Sequence, residues 1–328
     1  MSPKVSIILT IYNCEEFIEK CVRSAFEQTL KEIEYIFVND ATPDNSIDRI
    51  KNILELYPNR KPFAKIIDIE TNAGVSNARQ VGIKHATGEY VIHLDSDDWV
   101  DNTMYETLYK KAKETDADVI GCNFIHEFID TRYEFHQQYG NNMVENISRL
   151  INGRIFPSLC TSLTRRAQIT DYQISFPQGL NMGEDLFFNL QVYLRARKIS
   201  SINWAPYHYR HTENSSCVKR TKKSIESDIA IAGQIETTMR KEGLYNIYSH
   251  DIEYRKFYSK LPLMNNLNDN ILYHDWLTIY PETNKHIWSY SLLDWKQRLR
   301  LWLAANRLLF AAKAFQRLLT IQHQIRNI

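Results

Sequence analysis

The chain has 328 residues, enough for one large domain or for one domain with an appendage. Hydrophobic residues make up 44% and charged residues 24%, and the formal charge of +1 removes any whole-chain argument for a nucleic-acid partner. Five scattered cysteines (Cys14, Cys21, Cys122, Cys160, Cys217) show neither C-x-x-C nor zinc spacing, which reads as reduced thiols in a cytosolic protein.

In chain order, Val5–Thr10 is a nearly continuous apolar run, as expected of a strand buried on both faces. The 15–27 segment has a helical period through Phe17, Ile18, Cys21, Val22, Ala25 and Phe26. Strands are predicted at Tyr35–Val38, Ala64–Ile69, Tyr90–Leu94 and Val119–Phe124. Helices are predicted around Ile47–Leu54, at Val75–Ala86 and at Met104–Glu114. Such alternation predicts an α/β fold, a mostly parallel sheet flanked by helices. Ligands bind outside the carboxyl ends of such strands. Polar residues stand at those ends here: Thr10 to Asn13, Asn39-Asp40, Thr71-Asn72 and Asp95 to Asp98.

After about Asp130 the alternation weakens. Leu159–Leu163 reads as a short strand, Asp185–Ala196 as a helix and Ile199–Tyr209 as an extended aromatic segment. From about residue 219 the pattern is helical, giving a main domain at 1–218, with halves near 1–125 and 126–218, and a helical C-terminal region at 219–328. No secretory segment and no run of the roughly 20 apolar residues that span a bilayer is evident, so the expected location is the cytoplasm. From Ser291 onward seven basic residues face one acid, Asp294. Lys296, Arg300 and Arg307 share one helical face; Trp295, Leu299, Trp302, Leu303 and Phe310 lie mostly on another. Two readings stay open for this segment: peripheral contact with the inner face of the membrane, or packing on the main domain.

Asp95-Ser96-Asp97-Asp98 brings three carboxylates to the end of a buried strand, where each resists ionising beside the others. A hard divalent cation, Mg²⁺ or Mn²⁺, resolves that repulsion; an acidic turn capping the next helix is the alternative. If the chain stays extended there, Asp95 and Asp97 point to the same side.

Five stretches in this order resemble the family 2 glycosyltransferases, inverting enzymes with a GT-A, Rossmann-like fold. They are Val5 to Asn13, Val38 to Ser46, Asn72 to Arg79, Gly88 to Asp98, and Gly183-Glu184-Asp185-Leu186-Phe187. Together they span about the first two-thirds of the chain. The resemblance implies a hexosyl- or N-acetylhexosaminyl-transferase that uses a nucleotide-diphospho-sugar, with a UDP-sugar expected. Its acceptor would be a glycan or lipid-linked glycan of the cell surface.

Roles follow from the same resemblance. Thr10, Tyr12 and Asp40 would hold the base, Asp40 by accepting from a uracil N3–H and Tyr12 by stacking. Asn72 and Arg79 would lie beside the nucleotide or diphosphate, Arg79 offering its fork to phosphate. Asp95 would meet the ribose or sugar and Asp97 the metal. Asp185 would be the general base that activates the acceptor hydroxyl, with Glu184 as its partner. In Tyr207 to Ser215, which resembles a loop closing over the diphosphate, His211 would complete the metal shell and favour Mn²⁺ over Mg²⁺. Arg210 and Ser215 would bind phosphate. Plainer readings remain beside these: a turn aspartate at 40, an exposed helix arginine at 79, a helix-dipole acid at 185 and a surface histidine at 211. Ala41 departs from the pattern, since glycine is common there, as does Gln80 where asparagine often follows the arginine. The competing functions are a sugar nucleotidyltransferase, disfavoured because Thr10 to Asn13 lacks a glycine-rich phosphate loop, and a non-catalytic glycan- or nucleotide-binding homologue.

Overall fold

The computed structural model describes residues 2–212, 220–265, 269–290 and 293–326, with side chains to residue 319. The chain divides into two compact units, Met1–Lys219 and Arg220–Ile328. The first unit runs β1 (Val5–Ile11), α1 (Ile18–Phe26), β2 (Ile33–Asn39), α2 (Ser46–Leu56), β3 (Ala64–Asp68), α3 (Val75–His85) and β4 (Tyr90–His93). It continues with β5 (Trp99–Val100), α4 (Met104–Thr115), β6 (Val119–Glu127), β7 (Arg132–Phe135), α5 (Met143–Ile151), β8 (Ser162–Arg165), α6 (Arg166–Asp171), α7 (Glu184–Arg195) and β9 (Ile199–Arg210).

One sheet holds these strands in the order β3-β2-β1-β4-β8-β6-β9-β5, with β7 paired to β6. The first four are parallel, and the continuous apolar runs of β1 and β2 are buried as strands covered on both faces must be. Beyond β4 the sheet is mixed. Only β6 with β9 is parallel there, while β8, β7 and β5 pair antiparallel to their neighbours. Short strands joined by compact connections can reverse direction, whereas parallel pairing needs a long crossover. Ile7, Leu9, Phe37, Ile92, Tyr105 and Phe124 are among the side chains of the main core, which lies between the sheet and its helices.

The sequence reading missed β5, β7, α5 and α6. For α5 a signal existed: the Asn142 side chain accepts from the Glu145 N–H at 2.9 Å, an N-cap three residues ahead of a glutamate.

The second unit is helical: α8 (Lys222–Lys241), α9 (Tyr245–Lys260), α10 (Asn270–Thr278), α11 (Trp295–Ala305) and α12 (Leu309–Arg326). It has its own core, built on Phe257, Trp276, Ile287, Tyr290 and Leu301. Buried Lys260 donates to the carbonyls of Trp276, Ile279 and Tyr280, satisfying oxygens that the end of α10 leaves unpaired. The amphipathic reading from Lys296 through Phe310 required one continuous helix. The structure breaks it at Asn306 to Leu308, where Arg307 takes a left-handed φ of 61°. Among the described residues no helix is long and apolar enough to cross a membrane.

Glu34 on β2 is a buried tie within the sheet. It accepts from the Ser6 hydroxyl on β1 at 2.6 Å and from the Gly88 N–H before β4 at 3.0 Å, and the Thr87 hydroxyl also donates to it. Burial alone would raise its pKa; the donors from Ser6 and Thr87 outweigh burial and hold it below the usual range. A depressed folded-state pKa stabilises the protein above the unfolded value, and that contribution is lost as pH falls through the folded one. Glu34→Ala is therefore expected to cost about 2 kcal/mol, mostly through donors left unsatisfied. Urea unfolding near neutral pH checks this, and the gap between variant and parent should narrow in acid.

Candidate active site

The carboxyl ends of β1 and β4, the α3 and α7 N-terminal turns and the inner side of β9 enclose a cleft of about 540 Å³. Thr10, Tyr12, Arg79, Asp95, Asp97, Glu184 and Asp185 line it, so both acidic clusters read from the sequence meet in one cavity.

Local conformation places each group. Asp95 to Asp98 do not continue the strand; they form a turn closed by the Asp98 N–H donating to the Asp95 carbonyl at 3.1 Å. Asp95 and Asp97 thus reach the cleft because the backbone reverses, not because side chains alternate. Asp98 is buried, and its carboxylate accepts from the Tyr207 hydroxyl and, at 2.7 Å, from the Arg210 N–H. It ties the end of β9 to the acidic turn. Both helices that bring charge to the site start on a glycine with positive φ: Gly74 (84°) before α3 and Gly183 (80°) before α7.

Arg79 is the centre of the arrangement. From α3 its Nη1 donates to Glu184 Oε1 at 2.8 Å and its Nη2 to Asp95 Oδ1 at 3.0 Å. Arg79 is only 8% exposed; burial opposes its charge, and the two carboxylates more than offset that, holding it firmly protonated. The fork expected to face a diphosphate is instead committed to two carboxylates.

The remaining acids differ in environment. Burial, then the neighbouring Asp95, push Asp97 up to about 6. Burial, then Glu184, push Asp185 up toward neutrality, against the pull of Arg79 and of the Leu186 N–H that donates to its Oδ1 at 2.7 Å. A carboxyl in this state at a helix start is poised to take a proton near neutral pH.

Other expected residues sit differently. Both Asp40 oxygens accept backbone N–H groups, from Ala73 at 2.8 Å and Gly74 at 3.0 Å, and Asp40 is buried rather than lining the cleft. It anchors the loop that carries Asn72, whose Nδ2 donates to the Asp40 carbonyl and which is likewise outside the cleft lining. Ala41 has a φ of 53°, the left-handed backbone that explains why glycine suits this position. Tyr207 to Arg210 belong to β9 rather than to a loop. Arg210 Nε donates to the Asp97 carbonyl at 2.8 Å, with its guanidinium over the rings of Phe17 and Trp99. His211 is not part of the cleft lining; its Nε2 lies 2.6 Å from His126 Nδ1 and its ring stacks on Phe128 at 4.1 Å. Its ring contacts are with His126, Phe128 and Tyr209. Ser215 lies outside the described residues.

Sequence reasoning also missed an aromatic wall. Phe124, Phe156, Tyr207 and Tyr209 line the side of the cleft formed by β6 and β9. The aromatic character of the β9 segment was the available signal, but not which face it would present.

Comparison with known proteins fits this geometry. The sequence model of Glycosyl transferase family 2 matches residues 6–170, which contain β1 to β4 and the acidic turn. EpsJ of Bacillus subtilis, described as an uncharacterized glycosyltransferase, is 34% identical over 222 residues, which are 66% of this chain and 63% of EpsJ. Staphylococcus aureus TarS residues 1–349, in complex with UDP-GlcNAc, superpose with a TM-score of 0.71 at 23% identity, over 96% of this chain and 90% of that one. A mannosyltransferase from Pyrobaculum calidifontis, PcManGT, in complex with GDP-Man and Mn²⁺, gives 0.53 at 14% identity, covering 96% of this chain and 87% of that one. These two structures share the GT-A-type arrangement of a curled mixed sheet flanked by helices. Because the family's sequence model covers half of the chain, including the strands that build the cleft, this chain belongs to the family 2 glycosyltransferases.

Proposed function

We propose that the protein transfers a sugar, with inversion, from a nucleotide-diphospho-sugar of the UDP class to a hydroxyl of a glycan or lipid-linked glycan in surface polysaccharide synthesis. The observation that carries this reading is the single cleft in which Asp95 and Asp97 line one part, Glu184 and Asp185 another, and Arg79 joins them. The UDP-GlcNAc bound by TarS supports the donor class.

The donor set suits a hard cation. Among the described residues no cluster of three metal-ligating side chains exists, and no cationic side chain bonds the Asp97 carboxylate. One such carboxylate, with substrate phosphates and water filling the other positions, is how Mg²⁺ and Mn²⁺ are commonly held. Asp97 would hold Mn²⁺ or Mg²⁺, whose charge stabilises the nucleoside diphosphate as it leaves. The Mn²⁺ in PcManGT supports this cofactor.

The protein's own groups then divide the work. Tyr12, half exposed at the rim, offers a ring face to the base beside Thr10, and Asp40 fixes the adjoining loop. Asp95, held by Arg79, accepts hydroxyls of the donor. Asp185 takes the proton from the acceptor hydroxyl as its oxygen attacks the anomeric carbon, on the face opposite the departing diphosphate. Glu184, fixed by Arg79, raises the basicity of Asp185.

Asp185→Asn is expected to retain donor binding and to lose transfer by about a thousandfold. The parent's kcat should rise with pH through a pKa above the usual carboxylate range, because only the deprotonated acid is a base; a conventional acid limb near pH 4 would remove that role. Calorimetry should find UDP binding that strengthens with Mn²⁺ in the parent, and Asp97→Ala should lose the metal-dependent part. Arg79→Lys, which keeps the charge but not the fork, is expected to lower kcat on the order of a hundredfold by displacing Glu184 and Asp95. Its affinity for UDP with Mn²⁺ should barely change, whereas a phosphate-binding role would lower that affinity in parallel.

A further inference from the structure

The helical unit carries an apolar surface that its own core leaves bare. Leu301, Ala304 and Ala312 of the α11–α12 hairpin pack into that core with Trp276 and Tyr290, so its inward side is buried. On the outward side Phe310 is 88% exposed, Leu318 62% and Trp295 60%. Phe310, Ala314 and Leu318 are exposed and recur every four residues, which aligns them along one face of α12. The Trp295 ring lies 6.3 Å from that of Phe315, so the exposed stripe of α11 adjoins α12.

A helix that buries one face normally presents polar groups on the other. This hairpin presents aromatic and aliphatic side chains flanked by cations. Between residues 293 and 319 the bases are Lys296, Arg298, Arg300, Arg307, Lys313 and Arg317, and Asp294 is the single acid. The Asp294 carboxylate is engaged as the α11 N-cap, accepting from the Gln297 N–H. Among the described residues Lys296, Arg307, Lys313 and Arg317 form no ion pair.

We infer that this face of the hairpin binds an anionic lipid surface. Trp295, Phe310 and Leu318 enter the boundary between headgroups and acyl chains, and the four cations meet lipid phosphates. Charge decides the occupant. A second copy of the face would bring the same cations against themselves, whereas an anionic bilayer supplies both an apolar layer and the opposite charge.

The test is sedimentation of the full chain with vesicles of phosphatidylcholine alone or mixed with phosphatidylglycerol, read together with tryptophan emission. Binding to the mixed vesicles, a blue-shifted emission and release by high salt are expected, with little binding to phosphatidylcholine alone. Arg307→Glu/Lys313→Glu/Arg317→Glu should weaken binding on the order of a hundredfold. Phe310→Ser/Leu318→Ser should weaken it roughly tenfold. Thermal unfolding by circular dichroism should match the parent in both variants, since the replaced side chains lie outside the unit's core. Absence of binding to anionic vesicles, or binding unchanged by both variants, overturns the inference. So does concentration-dependent dimerisation that Phe310→Ser/Leu318→Ser abolishes, because the face would then serve a second copy. No transfer reaction enters the measurement, so its outcome is independent of the assigned chemistry.

Discussion

The site depends on one buried ion triad, Asp95–Arg79–Glu184. Glu184 lies 105 residues beyond Arg79, on a helix that the sequence gives no local reason to place beside α3. A buried guanidinium is costly to desolvate, and the cost is recovered only where carboxylates meet it with good geometry. Two hydrogen bonds of 2.8 and 3.0 Å provide that geometry. The planar fork fixes direction as well as distance, so the acidic turn after β4 and the start of α7 have little freedom to shift independently. The two glycine-led helix starts extend this control, since each sets the angle at which its first turn enters the cleft.

Local partners separate five crowded acids by function. Asp95 and Glu184 each have an Arg79 nitrogen and are held in place. Asp98 is sealed at 1% exposure beneath Tyr207 and the Arg210 N–H, out of reach of any ligand, and serves the backbone. Asp97 and Asp185 both reach the cleft with raised pKa values, and among the described residues neither carboxylate is ion-paired. Carboxyls that remain reactive near neutral pH while their neighbours are neutralised by structure are what a metal site and a general base require. The partition rests on geometry, because all five side chains carry the same carboxyl group.

The parallel half of the fold was legible because Val5–Ile11 and Ile33–Asn39 are runs of apolar residues that only a doubly covered strand accommodates. The acids of the cleft were legible too, since charge at the end of such a strand has few structural uses. Partnership was not. Arg79 and Asp40 carry the groups that phosphate and uracil recognition need, yet both spend them on protein atoms. His211 likewise has the chemistry of a ligand but packs among Phe128, Tyr209 and His126. Sequence reports what a side chain can bond. Which bond forms depends on contacts between residues as far apart in sequence as 113 positions, and no local pattern encodes those. The same limit explains the acidic turn: strand alternation and a tight reversal both bring Asp95 and Asp97 together, and only the Asp98 to Asp95 hydrogen bond distinguishes them.

Charge balance then constrains what can enter. Four carboxylates and one arginine line the cleft, and that arginine is already neutralised by two of the four. A diphosphate approaching these walls meets repulsion from Asp97 and, once it ionises, from Asp185. In the proposed reaction Asp97 would hold a divalent cation, whose charge would offset that repulsion at the diphosphate. At Asp185, in its proposed role as base, a bound anionic substrate would act in the opposite sense and favour proton uptake. Under the proposed function, one electrostatic arrangement would favour donor binding where a cation is held and proton removal where none is, which would separate the two halves of a displacement across a single cleft.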